Sequence, residues 1–434
     1  MTSSPEFPPQ PPSAQPPAQP PVQPPTQPGA ELPGQPGAPA AWAWVGHPQP
    51  MRTVETEPLP YHRLYRGVQG YKWWKPLLVL LLAGVFYLLM SIVLGLLFVP
   101  IMMAWDPSYA TGIVDGSVEL LDTQRPVSLL VNLTSIIVMI PSVILAMLVM
   151  GFRPTSRVWS VALRIRWGLL GRVTVAAVLG VIAMNLAGMA AEFLFDPTYF
   201  TSPAVDTGRE FDSSAALVSL LLVLILVPFQ ATAEEVVFRG LFMQVLGSWL
   251  KNPWFAILIP SVGFALAHIY NIWGLLAVGL MGAVAAWLTW RTGGLEAAIA
   301  IHVINNLVAF GFMAAGFGGQ TAQTEDAGGP GSVIGEIVGL GLFIWLVMRI
   351  FRKHGYGRSR IDLLQVPVPP HQVAPQPAFA APEQTQIPSS PPAPEAPNAS
   401  APAAPAAPDG PDASAPAAPA APDGPDAVEA PKHD

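Results

Sequence analysis

The sequence predicts an all-α fold: a polytopic membrane bundle of about eight transmembrane helices between two disordered Pro-rich tails. Three observations carry that expectation. Only 11% of the 434 residues are charged and 51% are hydrophobic, whereas a soluble domain carries about 25% charged residues. Eight segments approach the roughly 20 apolar residues that cross a bilayer. The 51 prolines are unevenly spread, with 19 in residues 1–60, 20 in 361–434 and only 12 in the 300 residues between.

In chain order, residues 1–60 come first. They repeat PPxQP-like units with Gln, Ala and Gly, too few apolar groups to offset the entropy of ordering, and read as a cytoplasmic polyproline II and coil tail. Trp42 and Trp44 stand out within it. No apolar stretch of the signal-peptide kind occurs there. The membrane domain follows at 61–355. Its spans are expected at 76–103, 127–151, 168–195, 215–246, 254–270, 273–290, 295–316 and 333–351. Residues 356–434 form the second tail, in which SAPAAPAAPDGPDA at 400–413 recurs at 414–427. That unit has no side chain able to stack into a core, so it reads as a semi-rigid spacer. A PxxP ligand for a partner domain is the functional alternative.

Charge placement orients the bundle. Arg63, Arg66, Lys72 and Lys75 precede the first span; Arg153, Arg157, Arg164, Arg166 and Arg172 flank the second connection. Lys251 and Arg291 lie in later turns on that side, and Arg349, Arg352, Lys353, Arg358 and Arg360 follow the last span. The opposite side has Arg125 and Arg209 among acids such as Asp106, Asp115, Asp206, Asp212, Glu325 and Asp326. Lys and Arg mark cytoplasmic loops, so both termini are expected in the cytoplasm. The net charge of −7 argues against nucleic-acid binding. The absence of cysteine excludes disulfides, thiolate metal sites and a cysteine nucleophile.

Ionisable groups inside spans are costly and usually functional. They cluster here: Glu234, Glu235 and Arg239 in ATAEEVVFRGLF, His268 in SVGFALAHIY, and His302, Asn305 and Asn306 in AIHVINNLVAF. Glu192 and Glu336 sit near outer span ends, where water is close. Glu235 and Arg239 are i, i+4 neighbours in the favourable ion-pair order. His302 and Asn306 share a face, and so do Phe264 and His268. Glu234 is 14 residues before the turn at 248–253 and His268 is 15 after it, so both lie roughly 20 Å from that turn. His302 is only 8 residues, or roughly 12 Å, past the turn at 292–294. The levels match if the fourth and fifth helices project beyond the cytoplasmic surface, with the site in the cytoplasmic half of the bilayer. Pro228 and Pro260 each remove a helix hydrogen bond and either splay these helices around the site or are simply tolerated in the membrane.

Two carboxylates, two histidines and an asparagine form a hydrolytic set. A buried glutamate can act as general base toward water, and His or Asn N–H groups can hold an oxyanion. The same residues Glu234, His268 and His302 could instead bind zinc, although HExxH is absent. A non-catalytic immunity or scaffold protein, or a transporter, would also place polar groups at this depth.

The motifs resemble a known family. EEVVFRG at 234–240 matches EExxxRG, FALAH at 264–268 matches FxxxH, and HVINN at 302–306 matches HxxxN. In this order and setting they resemble the CPBP intramembrane proteases, the Abi or CAAX-protease group related to the eukaryotic Ras-converting CAAX prenyl endopeptidase. The resemblance is strong over about 215–316. It implies an intramembrane endopeptidase, Glu234 as the general base with His268 as its partner, and His302 and Asn306 at the oxyanion. It implies supporting roles for Glu235, Arg239 and Phe264. It favours a metal-free glutamate mechanism, with no cofactor expected and zinc as the alternative. The implied partners are a membrane-associated peptide or protein substrate and the lipid bilayer, and the Ala, Pro and Gly bias suggests a bacterial plasma membrane.

Overall fold

A computed structural model describes residues 50–198, 211–317 and 320–369. The tail segments 1–49 and 370–434, with Trp42, Trp44, the 14-residue repeat and any PxxP ligand, lie outside the described residues, as does Arg209.

The described chain opens with strands β1 (Met51–Glu55) and β2 (Leu59–Pro60), then a 3-10 helix, Tyr61–Gly67. Helices α1 (Lys75–Trp105), α2 (Pro107–Asp115), α3 (Pro126–Ile137), α4 (Met139–Val149) and α5 (Trp167–Phe195) follow. Next come α6 (Ser213–Glu235), a π-helical segment (Val236–Phe242), α7 (Met243–Trp249), α8 (Pro253–Leu266), α9 (Ile272–Thr292), α10 (Glu296–Ala314) and α11 (Pro330–His354). Strands β3 (Ser359–Arg360) and β4 (Leu363–Pro367) close the described chain.

All eight expected spans fall on helices. Seven are long and apolar enough to cross a membrane, and the protein is an integral membrane protein. The segment expected at 254–270 differs: its helix α8 has only 14 residues and stops at Leu266. His268, Tyr270 and Asn271 therefore sit in a connection inside the bundle. Asn271 caps the next helix through the N–H groups of Trp273 and Gly274. The second span is broken at Val138, between α3 and α4, because Pro141 has no N–H to give the carbonyl of Ile137. Exposed apolar side chains such as Leu88, Leu96, Ile182 and Leu186 face outward, as lipid-facing helices require.

The fourth span is one 37-residue helical run from Ser213 to Trp249. At 1.5 Å per residue it rises about 55 Å, far more than the ~30 Å hydrocarbon layer. Its last part, α7, packs on the Tyr61–Gly67 helix that precedes the first span. Gly247 makes the contact possible, since a Cβ there would meet the carbonyl oxygen of His62 at 1.9 Å.

The ends of both tails are shorter than their composition suggests. Residues 51–60 and 359–367 are paired strands, not tail: β1 runs antiparallel to β4 with Met51 opposite Pro367, and β2 to β3 with Leu59 opposite Arg360. Local composition misses this pairing because each strand's partner is about 300 residues away. Arg157 fastens the same layer with a buried fork onto Asp362, at 2.7 and 3.0 Å, and a bond to the carbonyl of Gly67.

Candidate active site

The site is built from α6, the π segment, the α8–α9 connection and α10. Glu234 and Glu235 end α6, and the hydrogen-bond register widens to the π form immediately after them. Such single-turn π segments are frequent at functional sites. Gly240 follows Arg239 here because a Cβ would stand 2.6 Å from Val158 Cγ2.

Glu235 is almost fully buried and holds two partners with one oxygen. Its Oε1 accepts from Arg239 Nη1 at 2.8 Å and lies 2.7 Å from His302 Nδ1. The expected ion pair with Arg239 is present, and the link to His302 is additional. Arg239 is also buried, with its guanidinium 4.3 Å from the centre of the Phe264 ring. Gly282 of α9 leaves space for it: a Cβ there would approach Arg239 Nη2 to 2.9 Å.

His302 is the hub. While Nδ1 faces Glu235, Nε2 lies 3.2 Å from Glu234 Oε2. Glu234 keeps a side-chain exposure of 13% against 1% for Glu235, and Glu234 lines the cavity. Hence two adjacent carboxylates have different tasks: one faces the cavity and one anchors the cluster.

His268 stands apart from this pair. Its Nδ1 lies 2.8 Å from the carbonyl oxygen of Phe264, and its ring packs edge-on against Phe264 at 4.9 Å. It makes no hydrogen bond to Glu234; the histidine against Glu234 is His302. Phe264 touches both, with its ring centre 5.6 Å from that of His302. Asn306 donates to Gln230 Oε1 at 3.3 Å, and Asn305 Nδ2 lies 3.5 Å from Asn306 Oδ1. Glu234, His268, His302, Asn305, Asn306 and Gln230 share one cavity of about 460 Å³.

Among the described residues no three His, Asp or Glu side chains are grouped so as to hold an ion. Both His302 nitrogens are directed at carboxylates, and His268 uses Nδ1 within its own segment.

Three contributors were not legible as site residues. Gln230 sits four residues before Glu234, a spacing that would have placed it on the same face. Tyr270 lines the cavity beside His268 and accepts from Gln323 Nε2 at 2.6 Å. Arg166 grips Glu296 in the first turn of α10, with Nε to Oε1 at 2.8 Å and Nη2 to Oε2 at 2.6 Å. No local motif announces that last pair, since 130 residues separate its members.

Residues 215–308 match the family model of the type II CAAX prenyl endopeptidase Rce1-like proteins. This segment is Rce1-like. The match covers all three motifs and runs from the first turns of α6 into α10. The chain is also similar to a curated relative, an uncharacterised protein, YyaK, of Bacillus subtilis (strain 168). That relative is 30% identical over 175 residues, which are 39% of this chain and 55% of the relative. The chain thus spans about half the length of the curated relative it matches. No solved structure matches.

Proposed function

We propose that the protein is an intramembrane endopeptidase that hydrolyses a peptide bond in a membrane-associated protein or peptide with a glutamate-activated water. The observation that carries this reading is the Glu234–His302–Glu235 arrangement at the wall of a cavity, inside an Rce1-like segment. In this reading Glu234 takes a proton from water as the water oxygen attacks the scissile carbonyl. The carbonyl electrons move to oxygen, and His302 Nε2–H and the Asn306 amide stabilise the resulting oxyanion. Glu234 then returns the proton to the departing nitrogen as the C–N bond breaks. His268, which lines the same cavity, acts as Glu234's partner through the water. Glu235 holds His302 in orientation, and Arg239 balances the charge of Glu235. Phe264 packs between the two histidines. The concentration of basic residues at one end supports cytoplasmic termini in a bacterial plasma membrane.

The test is cleavage of membrane proteins by the purified full chain in lipid nanodiscs. Glu234→Gln is expected to lower kcat/KM by about 10³-fold or more, with unchanged insertion and mass. Membrane proteomics of cells carrying Glu234→Gln should show uncleaved substrates accumulating. Full activity in Glu234→Gln would overturn the assignment of the base.

A further inference from the structure

The cavity is longer than the catalytic group. His302 and Met313 both line it, and eleven residues of α10 separate them, a rise of about 16 Å. Extended peptide advances about 3.3 Å per residue, so roughly five residues fit between the reacting bond and the far end. Thr123 Oγ1 donates to the Met313 carbonyl at 3.0 Å and the Gln323 N–H donates to the Leu121 carbonyl at 3.0 Å, so this end is lined by Glu119, Leu120 and Leu121 ahead of α3 and by Gln323. These elements lie at the end of the bundle opposite the basic connections. None of the connections at 150–166, 248–253 or 292–296 contributes to the wall.

Among the described residues, the acidic groups of this wall are Glu234 at the reacting end and Glu119 at the far end, and no lysine or arginine lines it. Arg239 is not in the wall: it is buried, paired with Glu235 and stacked on Phe264. Arg125, at the far end of the bundle, is likewise committed, 2.7 Å from Asp106. A free peptide α-carboxylate entering this cavity would face Glu119 and Glu234, like charges that oppose it. An internal bond brings no such charge. A basic side chain reaching Glu119 would gain a partner.

Resting on the endopeptidase reading, we infer that the cavity takes an extended apolar peptide segment through the Glu119 end. The segment is cut at an internal bond and carries a lysine or arginine about five residues from that bond. Glu119 is the residue that reads that basic side chain.

The test uses pairs of apolar, internally quenched peptides that differ only in Lys or Glu five residues from the bond, each made as a free acid and as an amide. In nanodiscs, the wild-type chain should cleave the Lys peptide with kcat/KM about tenfold above the Glu peptide, acid and amide alike. Glu119→Lys should reverse the preference. Binding of the same peptides to the Glu234→Gln chain, followed by fluorescence anisotropy, separates recognition from hydrolysis. About tenfold tighter binding of the Lys peptide, reversed by Glu119→Lys in that background, supports the inference even if no peptide is cleaved, a result that would sink the endopeptidase reading alone. Cleavage without Lys preference, a requirement for the free carboxylate, or equal or absent binding of both peptides overturns the inference.

Discussion

The pair Glu234 and Glu235 shows how one position in a helix separates chemistry from support. The two side chains differ by about 100° around the axis, so only Glu234 reaches the cavity, while Glu235 turns into packed protein. Breaking a buried ion pair by removing one charge costs about 3–5 kcal/mol, because the remaining charge is stranded. Glu235→Gln should therefore destabilise the protein by an amount of that order, leaving Arg239 uncompensated between Phe264 and α9. Glu234→Gln should cost less stability, since Glu234 is more exposed than Glu235 and its contact with His302 is longer, 3.2 against 2.7 Å. Thermal unfolding of both variants in one detergent checks this. An equal melting temperature for Glu235→Gln and wild type would show that the Glu235–Arg239–His302 cluster does not hold the helices.

At the scale of elements, the site depends on how α10 and the α6–α7 rod are held. Arg166 and Glu296 fix the first turn of α10 beside the α5 N-terminus, and His302 follows six residues later. The rod is fixed at its other end, where α7 meets the Tyr61–Gly67 helix across Gly247. Any side chain at 247 collides with the backbone of His62, which cannot swing away as a side-chain tip can. Gly247→Ala is expected to undock residues 51–67, with a cost of about 1–3 kcal/mol typical of overpacking. Hydrogen exchange should rise in residues 51–67 while α9 and α10 stay protected. Unchanged exchange at 51–67 would contradict this packing. The eight helical segments and the polar cluster were legible in the sequence because apolar length and i, i+4 spacing are local properties. The early end of α8, the π turn after Glu235, the His302–Glu235 link and the Arg166–Glu296 pair were not. Each arises from contacts between segments far apart in the chain, such as Val158 against Gly240, and no periodicity encodes them. The hairpin arithmetic put Glu234 and His268 at one depth, but depth along a helix does not give the side that a residue faces, and the histidine against Glu234 is His302.

At the scale of the whole molecule, the layer beside the basic end joins the start of the membrane domain to its finish. Strand β1 pairs with β4, Arg157 clamps Asp362, and Tyr61 donates to the carbonyl of Val158, whose side chain packs on Gly240 next to Arg239. This layer contains a buried histidine, His62, whose Nε2 is 3.4 Å from the carbonyl oxygen of Lys251. Burial pushes the imidazole pKa down from 6.5 to about 4; the Lys251 carbonyl opposes that shift, and the neighbouring Arg63 adds to it. The folded protein thus binds this proton less readily than the unfolded chain. Stability contributed by a neutral His62 is complete above pH 6.5 and is lost as the pH falls toward 4, by up to about 3 kcal/mol. Asp362 acts in a lower range. Despite burial, which opposes the shift, Arg157 and Arg360 hold its carboxyl below the usual 3.8, so its share is lost only in stronger acid. A melting curve series from pH 7.5 to 4 should therefore fall steadily below pH 6.5, and His62→Gln should flatten that fall. A pH-independent melting temperature across 6.5 to 4 in the wild type would show that the cap opens before the membrane domain and does not contribute to its stability.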